Sequence, residues 1–381
     1  MRRQAQTVPL ISEVSFLSGG TPRMSESRFW GGDIPWVSSG EMTESRISYT
    51  ERRVTEDGAR NGTRMVPANT VLVVVRGMSL AKEFRISISE RELTFNQDIK
   101  ALQPSEKIDP WFLFYYLKSQ RHAIRDSATD ASHGTKKLET RVLEQWPFPL
   151  LDIPTQRSIA SILSAYDDLI ENNRRRIQLL EQAARLLYKE WFVHLRFPGH
   201  EHTQMIDGVP EGWEKKPLGE LLTLQRGFDL PVSKRKDGRF PIYASTGING
   251  YHAEAKVKGP GVVTGRSGTL GTVMYVSGDF WPLNTTLWVK EFKLVGPHYA
   301  NHLLTSMQLE QYNGGAAVPT LNRNDVHRVE VLSPPAMLLR MFEDQSHDIV
   351  KQIDALTSMN IKLAEARDLL LPKLMNGEVA V

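Results

Sequence analysis

The apolar side chains of this chain keep two different periods. Over most of its length they form short β-branched runs, such as Val71-Leu72-Val73-Val74-Val75 and Gly261-Val262-Val263, interrupted by Gly, Pro and Asn. That pattern predicts short strands and turns, and so β-rich domains with a few helices. In two places the period lengthens to threes and fours. Ile159, Ile162, Tyr166, Leu169, Asn173, Ile177, Leu180, Ala184, Leu187 and Trp191 mark the first stretch. Leu338, Phe342, Gln345, Ile349, Gln352, Leu356, Met359, Leu363, Ala366 and Leu370 mark the second. A stripe this narrow is the a/d seam of a coiled coil, which another helix has to cover. Pro154 and Pro335 fall in the first turns of the two helices, and Pro372 stops the second.

Ahead of each of these helices the chain repeats itself. Val8-Pro9-Leu10-Ile11-Ser12-Glu13 is echoed by Lys216-Pro217-Leu218-Gly219-Glu220-Leu221, and Asp33 to Gly40 by Arg239 to Gly247. The strand ending in Arg76-Gly77 has a counterpart ending in Gly265-Arg266, and Leu93 to Gln97 has one in Trp281 to Thr285, which matches Asn96 with Asn284. Each half continues with an aromatic-rich helix (Trp111 to Leu117; Tyr299 to Leu309) and a polar, Gly-containing loop (Ser132 to Leu138; Gly314 to Leu321). The order is the same throughout, which is the mark of a duplication.

A helix of roughly 36 residues is about 54 Å long, more than one domain can cover, so the two stripes are expected to cover each other. The fold class is therefore α+β: two β-rich domains joined by two long antiparallel coiled-coil-like helices in a pseudo-two-fold arrangement. The first domain takes residues 1–152, a central spacer helix 153–195, a connector and second domain 196–332, and a C-terminal spacer helix and tail 333–381. Similar heads on a helical ruler fit the reading of a bipartite site in double-stranded DNA, whose half-sites recur about every 34–36 Å.

Composition narrows this without deciding it. The 381 residues carry a net charge of +3, which permits a polyanionic partner but does not demand one. There is no cysteine, so disulfides and thiolate chemistry are excluded and a reducing, cytoplasmic setting is expected. No run of about 18 apolar residues predicts a membrane span, and the opening MRRQAQTVPL reads as no secretory signal.

Five segments resemble the specificity subunit of type I restriction–modification systems. They are Ser18-Gly19-Gly20-Thr21-Pro22 with Asp33-Ile34-Pro35-Trp36; Phe95-Asn96-Gln97-Asp98-Ile99; Leu187-Tyr188-Lys189-Glu190-Trp191-Phe192; Val209-Pro210-Glu211-Gly212-Trp213; and Leu371 to Val379. The resemblance covers the whole chain. It implies two target-recognition domains, each reading a short half-site, and helices that dock two modification (adenine methyltransferase) subunits, with a restriction (translocase) subunit as a further partner. It also implies that catalysis, with S-adenosylmethionine, ATP and magnesium, belongs to those partners and that this chain holds no cofactor.

The residues agree with a non-catalytic role. An adenine methyltransferase needs an Asn/Asp-Pro-Pro-Tyr/Phe turn to hold a flipped base, and the one Pro-Pro, Pro334-Pro335, reads as a helix start. No proline is followed by Asp, as a magnesium nuclease of the usual kind requires. Gly265, Gly268 and Gly271 are wrongly spaced for a dinucleotide loop and suit a close backbone approach. His298 and His302 lack an evident third ligand and read as structural. The open alternatives are a stand-alone DNA-modifying enzyme or nuclease, and a coiled-coil scaffold that binds proteins only.

Arg pairs with guanine and Asn or Gln with adenine, while Lys usually meets phosphate. The DNA-binding candidates in the first domain are Trp36, Arg76, Ser79, Lys82, Asn96, Gln97, His133, Lys136 and Lys137. In the second they are Lys234, Arg235, Lys236, Arg239, Tyr243, Arg266, Ser267, Thr269, Asn322 and Arg323. Trp36 and Tyr243 are assigned to thymine methyls or sugars. Arg174-Arg175-Arg176 on the central helix face spacer phosphates or an acidic partner.

Overall fold

In a computed structural model, residues 6–131, 134–315, 317–379 and 381 are described. The chain divides into two compact units, Met1–Asn172 with Met359–Val381, and Asn173–Ser358. Each long helix therefore contributes a segment to both.

In the first unit Val71–Val74 is buried at every position, because both of its faces are covered and the alternation of a half-exposed strand is lost. It lies at the centre of a five-stranded sheet in the order Val14–Ser18, Ile99–Pro104, Val71–Val74, Ile86–Ser89, Arg46–Ile47. Val71 and Val73 face a core with Phe112, Leu113 and Leu117 of the helix Pro110–Ser119. Leu72 and Val74 face a second core with Leu93 and Phe95, which belong to a four-stranded sheet that also contains Trp30–Val37. Asp109 caps the helix Pro110–Ser119, its carboxylate accepting from the Trp111 and Phe112 amides at 3.0 Å, with Pro110 in the first turn.

The second unit repeats the plan. Its four-stranded sheet runs Leu222–Arg226, Thr286–Phe292, Gly261–Gly265, Val273–Val276, beside a three-stranded sheet of Gly247–His252, Phe240–Ala244 and Trp281–Pro282. The helix Pro297–Ser306 begins after Gly296, which has no side chain to cap it. Glu343 of the helix Ala336–Met375 does so instead, accepting from the His298 and Tyr299 amides at 3.2 and 2.7 Å.

Equivalent hydrogen bonds fix the register of the duplication. Leu10 N–H donates to Trp146 and Leu218 N–H to Val329; Asn96 N–H donates to Val37 and Leu283 N–H to Tyr243. Leu138 N–H donates to Val75 and Leu321 N–H to Arg266. The matches of Pro9 with Pro217 and of Trp36 with Ile242 agree with the sequence echoes. Two others shift by one residue. Asn96 corresponds to Leu283 rather than Asn284, and Arg266 takes the place of Val75 while Arg76 takes that of Ser267. The echo had aligned like letters; the ladder aligns backbone partners.

The long helices are Ile153–Tyr188, followed by a π turn over Lys189–Val193, and Ala336–Met375. In the first unit Asp167 meets Arg367, and the Ile170 carbonyl accepts from Asn360, so the helices run antiparallel there. In the second, the Tyr188 and Trp191 rings each lie 6.1 Å from Phe342. The covered stripe is one residue out of step with the apolar seam in places. Leu163, Asp167 and Ile170 are buried, while Ile162 is 37 % exposed and Leu169 50 %. On the partner helix Ser346 is buried while Gln345 is exposed, and Asn360 is better covered than Met359. Asp167 and Asn360 take covered positions where Arg367 and the Ile170 carbonyl satisfy them, while small Ser346 is buried with its hydroxyl unpaired, so apolar spacing alone misplaces the stripe. The ends differ from expectation as well. Pro335 precedes the second helix rather than sitting in its first turn. Pro372 lies inside that helix, which continues to Met375 because Leu371, Leu374 and Met375 pack into the first unit's core.

The connector is anchored at its ends: Phe197 and Trp213 are buried in the second core with their rings 5.3 Å apart. Between them the hairpin Met205–Ile206 with Val209–Pro210 is largely exposed.

Candidate nucleic-acid interface

In the first unit the buried strand Val71–Val74 runs directly into Arg76–Gly77, which pairs antiparallel with Lys136–Lys137 and places Arg76 opposite Lys137. Thr129–Asp130 completes this three-stranded ribbon. Two buried leucines hold it down: Leu138, whose N–H donates to the Val75 carbonyl at 2.8 Å, and Leu80 in the following turn. That turn carries half-buried Ser79 and exposed Lys82, whose carbonyl accepts from Arg125 at 3.3 Å. Val75 N–H donates to Asp98 at 2.8 Å, bringing the exposed Gln97 alongside, where its side-chain oxygen accepts from Thr21 at 2.7 Å. Arg76, Lys82, Arg125, Lys136 and Lys137 thus share one basic surface. Its ion pairs are peripheral (Lys136–Asp130 3.4 Å, Lys137–Glu139 2.7 Å, Arg125–Asp126 2.7 Å). Pairs this exposed contribute about 1 kcal/mol or less and exchange readily for phosphate. His133 lies outside the described residues.

In the second unit the strand Gly261–Gly265 delivers Arg266, which is held at both ends of its peptide: its N–H donates to Thr285 and its carbonyl accepts from Leu321, each at 2.8 Å. Ser267 bridges Thr320, and Gly268 N–H donates to Pro319 at 3.0 Å. Gly265 has to be glycine, since a Cβ there would stand 1.9 Å from the Thr269 carbonyl oxygen and 3.4 Å from Ser245 Cβ. That crowding joins Arg266, Ser267 and exposed Thr269 to the turn of the hairpin Phe240–Ala244 with Gly247–His252. Beside the hairpin, Arg235 donates to the Asn249 carbonyl (2.7 Å) and side-chain oxygen (3.0 Å), and Lys236 N–H donates to His252 Nδ1 at 3.0 Å. Lys234, Lys236, Arg239 and Arg323 are exposed, with the Arg239 guanidinium 5.1 Å from the Phe240 ring centre.

Two candidates, Trp36 and Asn96, need correction because they are buried, and three more are engaged locally within the fold. Trp36 is a core residue, 3 % exposed, donating to the Gly20 carbonyl at 3.0 Å and standing edge-on to Trp30. Asn96 is buried and closes its own turn, accepting from the Asp98 amide at 3.1 Å. Tyr243 is half-buried with its ring edge-on to Phe280, and burial raises its phenol above the ordinary range. Asn322 caps the short helix Arg323–His327 through the Asn324 amide at 3.0 Å. Arg235 braces the hairpin rather than reaching outward, as Arg85 braces the loop at Ser39 and Gly40 in the first unit.

Several further residues escape a reading of loops alone. Tyr251 is 55 % exposed opposite Pro241, and Arg53, opposite Pro35 in the equivalent register, lies 5.2 Å from the ring centre of exposed Tyr49. Arg125 lies on a helix. The repeat register would have pointed to the first pair; no sequence signal separates Arg125 from other helix-surface arginines.

His298 and His302 enter ring stacks with Tyr275 (4.7 Å) and Tyr188 (5.4 Å), and burial holds both imidazoles down to about 4.

The family model for the type I restriction modification DNA specificity domain matches residues 11–182 and again 210–368, once for each repeat. The chain belongs to this specificity family. It is 27 % identical to the type I restriction enzyme MjaIX specificity subunit of Methanocaldococcus jannaschii over 98 % of this chain and 93 % of that one. It is 24 % identical to the EcoprrI specificity subunit of Escherichia coli over 87 % and 84 %. The crystal structure of a type I S subunit from M. genitalium shares the fold over 98 % of this chain and 96 % of that one, with a TM-score of 0.63 at 19 % identity. The chain is thus a DNA-specificity subunit with two recognition domains. No helix among the described residues is long and apolar enough to cross a membrane.

Proposed function

We propose that each unit of this specificity subunit reads one half of a bipartite DNA target through its strand-end cluster. Arg76, Gln97, Lys136 and Lys137, with Lys82 and Arg125, serve the first half-site; Arg266, Ser267, Thr269 and Arg323, with Lys234, Lys236 and Arg239, serve the second. The long helices dock two methyltransferase subunits and set the number of unread base pairs, and a restriction subunit joins them. Base methylation and strand cleavage, with S-adenosylmethionine, ATP and magnesium, take place in those partners in the cytoplasm.

One observation carries this reading. The same backbone bonds build both clusters, yet their tips differ in chemistry: Arg76 and Lys137 face each other in one unit, Ser267 and Thr320 in the other. A common scaffold with divergent tips is what two different half-sites require, because phosphate contacts position the protein while base contacts specify. The test is methylome sequencing of cells with and without the gene. A two-part adenine-methylated motif that vanishes with the gene is the expected result; an unchanged methylome in cells with active methyltransferase subunits removes the reading.

A further inference from the structure

Two clefts occupy the same place in the two repeats. In each unit a short helix begins against a long one, where Gln156 accepts from the Asp109 amide at 2.8 Å and Glu343 from those of His298 and Tyr299. Trp111 and His298 hold the same position, second in their helices. The first cleft, about 290 Å³, contains the chain's own arginine. The Arg46 guanidinium lies 4.8 Å from the Trp111 ring centre and 2.6 Å from the carboxylate of Asp168 on the long helix. An aromatic plate and a helix carboxylate therefore already hold an arginine once in this molecule.

The second cleft is larger, about 420 Å³, and is lined among others by Tyr275, His298, Asp344, His347 and Asp354, with Lys351 the basic side chain on its lining opposed by Glu343, Asp344 and Asp354. Tyr275 stacks on His298 at 4.7 Å with 21° between the rings, and His347 lies 6.0 Å away. His298 is 5 % exposed, and its ring nitrogens have no hydrogen-bond partner among the described residues. Asp344 and Asp354 form no ion pair among the described residues. Burial, then His347, keeps the His298 imidazole neutral at physiological pH, so the plate does not repel a cation. Among the described residues no group of three His, Asp or Glu has the geometry of a metal site.

We propose that this second cleft seats an arginine side chain of a partner protein, its guanidinium lying along the Tyr275–His298 pair and bonded to Asp354, with Asp344 adding to the negative field. The proposal rests on the subunit reading above and names a methyltransferase subunit as the carrier. A planar guanidinium both stacks on rings and bonds a carboxylate side-on, which a lysine ammonium cannot do.

The test has two arms. The full chain is titrated with acetyl-arginine amide and with its neutral analogue acetyl-citrulline amide, following the ring protons of His298 and His347 by NMR. Saturable shifts with the arginine compound only, lost in Asp354→Asn, are expected; shifts absent, or unchanged in that variant, overturn the seat. In the second arm, assembly with methyltransferase subunits is measured for Asp354→Asn and for Asp348→Asn, which changes the same helix outside the cleft. The first is expected to weaken assembly about tenfold or more and the second to leave it unchanged. Undiminished assembly of Asp354→Asn overturns the inference and leaves the proposed function standing. Arginine binding by a chain that assembles with no methyltransferase subunit removes the proposed function and the named carrier instead.

Discussion

Asp167 is a carboxylate at a buried helix position, 9 % exposed, and its neighbours explain how it is tolerated. The Tyr115 hydroxyl donates to it at 2.8 Å, Lys118 lies 3.8 Å away, and Arg367 pairs with it. Burial alone would raise its pKa, but Lys118 and Arg367 more than offset this and hold it below the usual range. Removing one member of a buried charge network strands the others, so Asp167→Ala is expected to destabilise the first unit by about 3 kcal/mol in denaturant unfolding. The buried histidines give a pH signature to the second unit. His298 and His302 are held at about 4 when folded, against 6.5 for the free group. The unfolded chain takes up protons first as pH falls below 6.5, so stability declines from there until the folded groups titrate near 4. Each histidine is expected to cost on the order of 1–2 kcal/mol by pH 5, and His302→Gln should flatten that slope in melting curves. At the interface, Lys137→Ala is expected to weaken binding to all sequences and reduce the salt slope by about one. Arg266→Ala is expected to cost about 1–3 kcal/mol confined to one half-site; a uniform loss would assign Arg266 to phosphate. Residue types alone could mark these positions but not the exposure of each. Trp36 and Asn96 sit in suggestive motifs and are spent on the core and on a turn.

At the level of elements, both long helices, the short buried strands and the short aromatic helices follow from period and punctuation, whereas the order of strands within each sheet came only from the backbone pairing. The hydrophobic stripe was legible in part: Ile159, Asn173, Ala184, Trp191, Leu338, Phe342 and Leu356 are buried as the spacing expects, and in other places the covered position lies one residue away. Asp167, Asn360 and Arg367 occupy covered positions that apolar spacing assigns to their neighbours, because hydrogen bonds across the stripe, not side-chain type, satisfy them, whereas the Ser346 hydroxyl is buried without a hydrogen-bond partner. Pro372 is a second case. A proline removes one helical hydrogen bond and normally ends the helix, yet the turn beyond it is kept by the burial of Leu374 at 2 % exposure. The spacer role belongs to this scale. Inserting one heptad into each long helix at facing positions is expected to change the unread gap in the methylated motif and preserve both halves; an unaltered gap would separate the helices from spacing.

For the whole molecule, duplication was legible because it preserves glycines, prolines and strand ends, whereas the true register needed backbone partners. Linear order also concealed how the units are composed. The first is completed by Leu371, Leu374 and Met375, far along the chain from the strands they cover. A chain ended after Ser358 is therefore expected to keep the second unit protected in hydrogen exchange and to lose protection across Phe112–Leu117. The same arrangement bears on synthesis. Translation at about 5–20 residues per second leaves the early core without its last wall for roughly 10–40 s, during which its aromatic floor is open to chaperones and proteases. A message truncated before that final turn is expected to yield a polypeptide whose opening half lacks its last wall while the second unit still folds, so only the finished chain carries both halves of the address.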